Sequence, residues 1–213
     1  MPIDLHEMLD PAKTAVVTME LQRSIAGEGG ALPDLRAQIA PVLPNVRRLL
    51  TAARSASVPV VHCIAGPSKV PSAPPNYPLA AAMARRREGA GDAPPPDPEA
   101  LARGLEVVPD IGPEPTDVRV VRSHGLTPFT GTELDAVLRQ LGVQSVVAAG
   151  VSLNIGIIGL SVEAVGLGYR VAVVTDGVAG TPAEYGQAVL QNTVRMVATL
   201  VQVDQVVDLW ATR

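Results

Sequence analysis

SVVAAGVSLNIGIIGLSVEAVGLGYRVAVVT, residues Ser145–Thr175, is the stretch whose reading decides the fold. It opens with a short run of small and β-branched residues (Ser145–Ala149) and a turn at Gly150. A nearly all-apolar helical segment (Ile155–Leu167) follows, stopped by Gly168, and a second apolar run (Tyr169–Thr175) closes it. Both apolar runs lack a polar face, as strands do when a sheet is covered on both sides. Two such strands joined through a helix form a parallel βαβ unit.

The same pattern recurs outward in both directions. Thr14–Met19 (TAVVTM), Val58–Ile64 (VPVVHCI) and Val118–Arg122 (VRVVR) read as three more strands. Leu35–Ser55 reads as a helix with Pro41 and Pro44 confined to its early turns, and Glu133–Leu141 as an amphipathic helix ended by Gly142. Ala183–Thr199 reads as a long helix and Gln205–Trp210 as a last edge strand. The expectation is an α/β protein, a three-layer α/β/α sandwich around a mostly parallel sheet. Its length of 213 residues suits one domain, 1–213. Residues 66–115, rich in Pro and Ala and containing Arg85–Arg87 and Pro94–Pro96, interrupt the alternation. They are either an inserted loop serving as lid or oligomer contact, or a solvated excursion.

Composition narrows the function classes. Hydrophobic residues make up 47%, charged residues 18%, and the net charge is -4, without a Lys/Arg-rich stripe or clustered aromatics. Nucleic acid is not an expected partner. No apolar run approaches the roughly 18 residues of a membrane span, so no membrane is expected, and Met1–Asp10 has no apolar signal core. Cys63 is the one cysteine, which forbids an intrachain disulfide and CxxC-type zinc sites. The histidines at 6, 62 and 124 share no ligand spacing. The expectation is a cytoplasmic protein with a small-molecule substrate and neither metal nor cofactor. The apolar Ile155–Gly168 segment favours a homo-oligomer, dimer or tetramer.

In parallel sheets ligands bind beyond the carboxyl ends of the strands. Those ends are Glu20, Cys63–Gly66, Arg122–Thr127, Gly150–Gly156 and Asp176–Gly180. Five segments in this order resemble the isochorismatase-like hydrolases, the superfamily of nicotinamidases, N-carbamoylsarcosine amidases and isochorismatases. They are Thr14–Gln22, Pro59–His62, Phe129–Asp135 with Leu138–Val143, Gly150–Gly156, and Gly168–Val171 with Asp176–Ala179. The resemblance implies the fold above and an active site built on an Asp–Lys–Cys triad. Here Glu20 stands at the Asp position and Gly156 at the Cys position. The Lys position falls on Arg122 if the strand is held in register, or on Ser123 by counting back from Phe129. Arg122 is preferred, because a loop insertion costs less than shifting a buried strand.

Glycine has no side chain with which to attack, so the covalent route of the family amidases is absent. Isochorismatases also carry glycine at this position, and their Asp acts as a general acid on a vinyl ether. By that resemblance Glu20 is the acid–base group, Arg122 its charge partner or substrate anchor, and His124 a second acid–base candidate. Gly156 is expected to leave room for substrate or water beside backbone N–H groups. The resemblance also implies a cis Val151–Ser152 peptide at an oxyanion hole, with Ser152, Asn154 and Ile155 lining the same turn. For Asn154 the preferred reading is a helix N-cap. His62 reaches the pocket from its strand end or is a buried strand residue, and Phe129, Asn76 and Tyr77 are positioned to contact a substrate. His62 and Cys63 point to opposite faces of their strand and cannot pair with each other. Cys63 reads as a small buried hydrophobe.

Overall fold

The computed structural model describes residues 3–30, 32–70, 72–89 and 97–212. Pro94–Pro96 lie outside them. Among the described residues six strands form one parallel sheet: β1 (Thr14–Met19), β2 (Val60–Ala65), β3 (Val118–Arg122), β4 (Ser145–Gly150), β5 (Arg170–Val178) and β6 (Thr199–Val201). Their order is β3-β2-β1-β4-β5-β6.

Strand alternation sorts the apolar side chains into two layers. Val16, Val60, Ile64, Val147, Ala149, Ala172 and Val174 face the helices Leu43–Ser55 and Val203–Ala211. Ala15, Val17, Met19, Val61, Cys63, Val120, Val146, Ala148, Val171 and Val173 face the helices Leu134–Gln140, Ile158–Gly166 and Ala183–Asn192. The result is the expected three-layer sandwich. No helix among the described residues is long and apolar enough to cross a membrane.

Three local expectations are corrected. Leu35–Ser55 is two helices, Pro33–Ile39 and Leu43–Ser55, separated by a 3-10 turn over Ala40–Val42. The prolines explain the break, since each lacks the N–H that an unbroken helix requires. The Ala183 helix ends at Asn192, and the last strand is β6 rather than Gln205–Trp210. Those residues belong to the helix Val203–Ala211, in which Val203, Val206, Leu209 and Trp210 share the buried face. Trp210 Nε1–H donates to the Leu9 carbonyl at 2.9 Å, tying this helix to the amino-terminal segment. Within residues 66–115, the structure has helices Pro78–Glu88 and Pro98–Gly104 and a 3-10 turn at Pro109–Ile111. Arg85–Arg87 fall on the first of these helices, while Val108 and Ile111 join the core.

The chain builds outward from β1 to β2 and β3, then returns past β1 to build β4, β5 and β6 on its other side. This reversal opens a crevice beyond the carboxyl ends of β1 and β4, the usual place for a ligand in an open parallel sheet.

Candidate active site

Glu20 is the residue that follows β1 into this crevice. Its φ of 52° is left-handed, a conformation a non-glycine side chain rarely adopts, and its N–H donates to the Cys63 carbonyl at 2.8 Å. Arg122, the last residue of β3, donates through Nη2 to Glu20 Oε1 and through Nη1 to the Gly125 carbonyl. The two side chains are 16% and 8% exposed. Burial raises the Glu20 pKa above the ordinary carboxylate value, and the neighbouring guanidinium only partly offsets that. The couple therefore spans β1 and β3 across β2. Arg122, not Ser123, is the residue that meets Glu20.

The Gly150–Gly156 turn forms the facing wall. Gly150 has φ 109°, and a Cβ there would collide with the Met19 carbonyl oxygen; that oxygen accepts the Val151 N–H at 2.9 Å. Only glycine lets β4 leave the sheet this close to β1. The Val151–Ser152 peptide is cis, as the resemblance implied. Leu153–Ile157 is a π-turn, closed by the Ile157 N–H on the Ser152 carbonyl at 3.0 Å, and it leads into the helix Ile158–Gly166. Ser152 Oγ donates to Asn154 Oδ1, and Asn154 Nδ2 lies 3.5 Å from the Thr181 carbonyl. Asn154 thus links two loops and is not the N-cap of this helix, because the turn already begins at Ser152. Ser152, Asn154 and Ile155 are half-buried, and Val151 is fully buried.

One expectation about this wall is corrected. Gly156 does not leave open room: a Cβ built on it lies 3.0 Å from Met19 Cε and 3.1 Å from the Val151 carbonyl oxygen.

Other sequence-derived candidates lie elsewhere. His62 is 1% exposed, and its ring is engaged on the opposite face of the sheet from Cys63 and Met19. There Nδ1 is 2.7 Å from Thr18 Oγ1, and Nε2 is 3.1 Å from Asp117 Oδ2. The pocket role expected of His62 is thus corrected by strand parity. His124 is exposed with its ring over Gly131, and among the described residues neither hydrogen bond nor ion pair links it to Glu20 or Arg122. Phe129 is a core residue stacked on Tyr169 at 6.0 Å. Asn76 is exposed and Tyr77 half-buried, just ahead of the Pro78–Glu88 helix. Cys63 faces the layer that holds Met19, and burial pushes its thiol up to about 12, so it is no ready nucleophile. Among the described residues, no group of three His, Cys, Asp or Glu side chains is placed to hold a metal ion.

The model of the isochorismatase domain matches residues 14–205. The chain belongs to the isochorismatase family. Among its curated relatives are ureidoacrylate amidohydrolases RutB. That of Pseudomonas syringae pv. syringae is 29% identical over 162 residues, covering 69% of this chain and 62% of the relative. That of Rhizobium rhizogenes is 30% identical over 159 residues with the same coverage. The chain thus spans somewhat less than two thirds of these relatives' length. In fold it is similar to a cysteine hydrolase from Pseudomonas syringae pv. phaseolicola, with TM-score 0.77 and 21% identity, covering all of this chain and 96% of the other. N-carbamoylsarcosine amidase from Thermoplasma acidophilum superposes with TM-score 0.65 at 24% identity, covering 90% of this chain and 97% of that one.

Within this isochorismatase fold, sequence reasoning overlooked two groups. Met19 was read only as a strand end; the signal that would have exposed it is a long flexible side chain facing a glycine from a neighbouring strand. Glu163 receives Phe129 N–H at 3.2 Å and the Thr130 hydroxyl, fastening the loop after β3 to the helix Ile158–Gly166. As the one charged residue in an apolar helix, Glu163 was visible but unassigned.

Proposed function

We propose that this isochorismatase-family chain is a hydrolase for a small, carboxylate-bearing metabolite, working by acid–base chemistry with no covalent intermediate on residue 156. The observation that carries this reading is the Glu20–Arg122 couple, buried at the switch point of the sheet and facing a turn with glycine at the family's cysteine position. Burial raises the Glu20 pKa above the ordinary carboxylate value, so the carboxyl keeps its proton to higher pH than a free one and can serve as a proton donor. Glu20 gives its proton to the departing atom of the substrate, and water adds to the carbon left electron-poor. The proton that water sheds returns to the Glu20 carboxylate, which Arg122 stabilises in between. Arg122 acts as charge partner, because its two terminal nitrogens are engaged by Glu20 and the Gly125 carbonyl. The names of the RutB relatives specify ureidoacrylate, itself a carboxylate, which supports the substrate class.

The test is turnover of a panel of small carboxylic acids, with ureidoacrylate and N-carbamoylsarcosine among them, by the wild type and Glu20→Gln. A positioned acid–base group contributes about 10²–10⁴-fold, so the variant should lose turnover on that scale. Equal turnover by both proteins would remove this mechanism.

The second reading is a family member that binds a metabolite or serves assembly without catalysis. It is favoured by the methyl of Met19 standing against Gly156. Tight binding of a panel compound by calorimetry, with that compound recovered unchanged by mass spectrometry, selects this reading. For either, we propose a cytoplasmic homo-oligomer, dimer or tetramer. The helix Ile158–Gly166 and its end support this, since Val162, Val165 and Leu167 stand exposed along it. Light scattering on Val162→Glu should report a smaller assembly than the wild type, and an unchanged mass would reject that face.

A further inference from the structure

Beneath the turn that follows β4, two buried residues from different segments of the chain meet. Met19 is fully buried and belongs to the same apolar layer as Cys63, Val120 and Val17. Its backbone is fixed by pairing with Cys63 on one side and Gly150 on the other. From there its side chain reaches the π-turn, so that a Cβ on Gly156 would lie 3.0 Å from Cε. Non-bonded carbons rest about 3.5–4.0 Å apart, so even one added methyl overlaps. The Val151 carbonyl oxygen, 3.1 Å away on the turn's own backbone, blocks retreat. A thiol would add a further heavy atom to the same space.

We infer that Met19 keeps position 156 out of the chemistry: the end of its thioether lies in the space that an attacking side chain at position 156 would enter. Residue 156 is thereby closed to acyl transfer. A thioether carries no proton to surrender and does not substitute for the thiol. This inference rests on the reading that ligand enters the Glu20 crevice, but its test does not depend on turnover.

The test compares wild type, Met19→Ala, Gly156→Cys and the double variant Met19→Ala/Gly156→Cys. Each is melted by circular dichroism, then alkylated natively with iodoacetamide, the modified residue being located by peptide mass. Gly156→Cys alone should lower Tm by about 5 °C or more and react slowly at the introduced thiol. The double variant should melt above the sum of the two single changes and react at least ~10-fold faster, the coupling expected of residues in contact. The wild type, with Cys63 buried, gives the baseline. Equal Tm and alkylation rate for Gly156→Cys with and without Met19→Ala would overturn the inference. Should Gly156→Cys fail to fold, Gly156→Ala with and without Met19→Ala gives the same cycle in Tm alone, and strict additivity there is equally fatal. Loss of the Glu20→Gln effect on turnover with the coupling intact would sink the proposed chemistry and leave the Met19 assignment standing.

Discussion

Replacing Arg122 by alanine tests the electrostatics of the crevice directly. The guanidinium is 8% exposed and the carboxylate it holds 16%, so removing it leaves a charge with little water to replace its partner. Breaking a buried pair from one side costs about 3–5 kcal/mol. Glu20 retains a little exposure and can escape by taking up a proton, so about 2–3 kcal/mol at pH 8 is the expected loss. The escape sets the pH dependence. The folded pKa of Glu20 already lies above its unfolded value of 4.5 through burial, and Arg122 is the group that lowers it. The native state therefore binds more protons than the unfolded chain above pH 4.5, and stability falls as pH rises toward the folded pKa. Without Arg122 that folded pKa climbs further, and the decline extends to higher pH at up to about 1.4 kcal/mol per unit. Urea unfolding of wild type and Arg122→Ala from pH 5 to pH 8.5 should give curves that diverge steadily with rising pH. Adding Glu20→Gln to the variant should remove the divergence, since a neutral amide needs no cation. Parallel curves, or a loss under about 1 kcal/mol at pH 8, would refute the argument.

Three further outcomes follow from other parts of the molecule. Asp117 accepts Arg54 Nε at 3.1 Å, Arg54 Nη2 at 2.6 Å and the Glu114 N–H at 2.8 Å, besides meeting His62. These partners overcome the effect of burial and hold its pKa below the ordinary 3.8. Its contribution is thus complete above pH 4–5 and drains away as pH falls. Asp117→Asn should cost about 2–4 kcal/mol at pH 7 and flatten the acid limb of the stability curve; an unaltered limb in urea titrations contradicts the assignment. Gly150→Ala combines a forbidden φ with a clash against the Met19 carbonyl and should cost about 3 kcal/mol or more. A melting temperature equal to wild type would show that β4 leaves the sheet differently. Cys63, with its thiol pushed up to about 12 by burial, should ignore Ellman's reagent at pH 8 in the native protein and react fully in urea. Rapid native reaction would reopen a role for that sulfur.

What the sequence made legible follows from where one dimension suffices. The bounds of β1 fall where the apolar run places them, because a strand buried on both faces leaves an uninterrupted signature. Those of β3 match as well, although as an edge strand it exposes Arg119 and Val121. Gln205–Trp210 misled because a short apolar run carries little periodicity, and its helical face emerges only once Val203 is counted with it. His62 and Cys63 divide between the two faces as alternation requires, which assigns the histidine to the Asp117 network. Glu20 and Arg122 were recognisable as strand ends. The resemblance paired them, although β2 lies between the strands they terminate, and strand pattern alone would not have done so. Met19 and Gly156 exchange volume across 137 positions of chain, a relation that local pattern does not encode.

The two buried ion networks argue for different roles. Asp117 is saturated: a bidentate guanidinium, a backbone N–H and an imidazole surround it, and it fastens the start of β3 to the Leu43–Ser55 helix. Such a group completes a structure. Glu20 instead has one partner on Oε1, and among the described residues Oε2 receives no hydrogen bond. A buried pair is a poor source of stability, because desolvation consumes most of its attraction and an apolar pair of the same volume serves as well. Keeping a half-satisfied carboxyl at the mouth of a parallel sheet, in a left-handed backbone conformation, is therefore a stability cost with no structural return. Under the proposed function, proton transfer at Oε2 would supply the return, at the oxygen to which Arg122 does not donate.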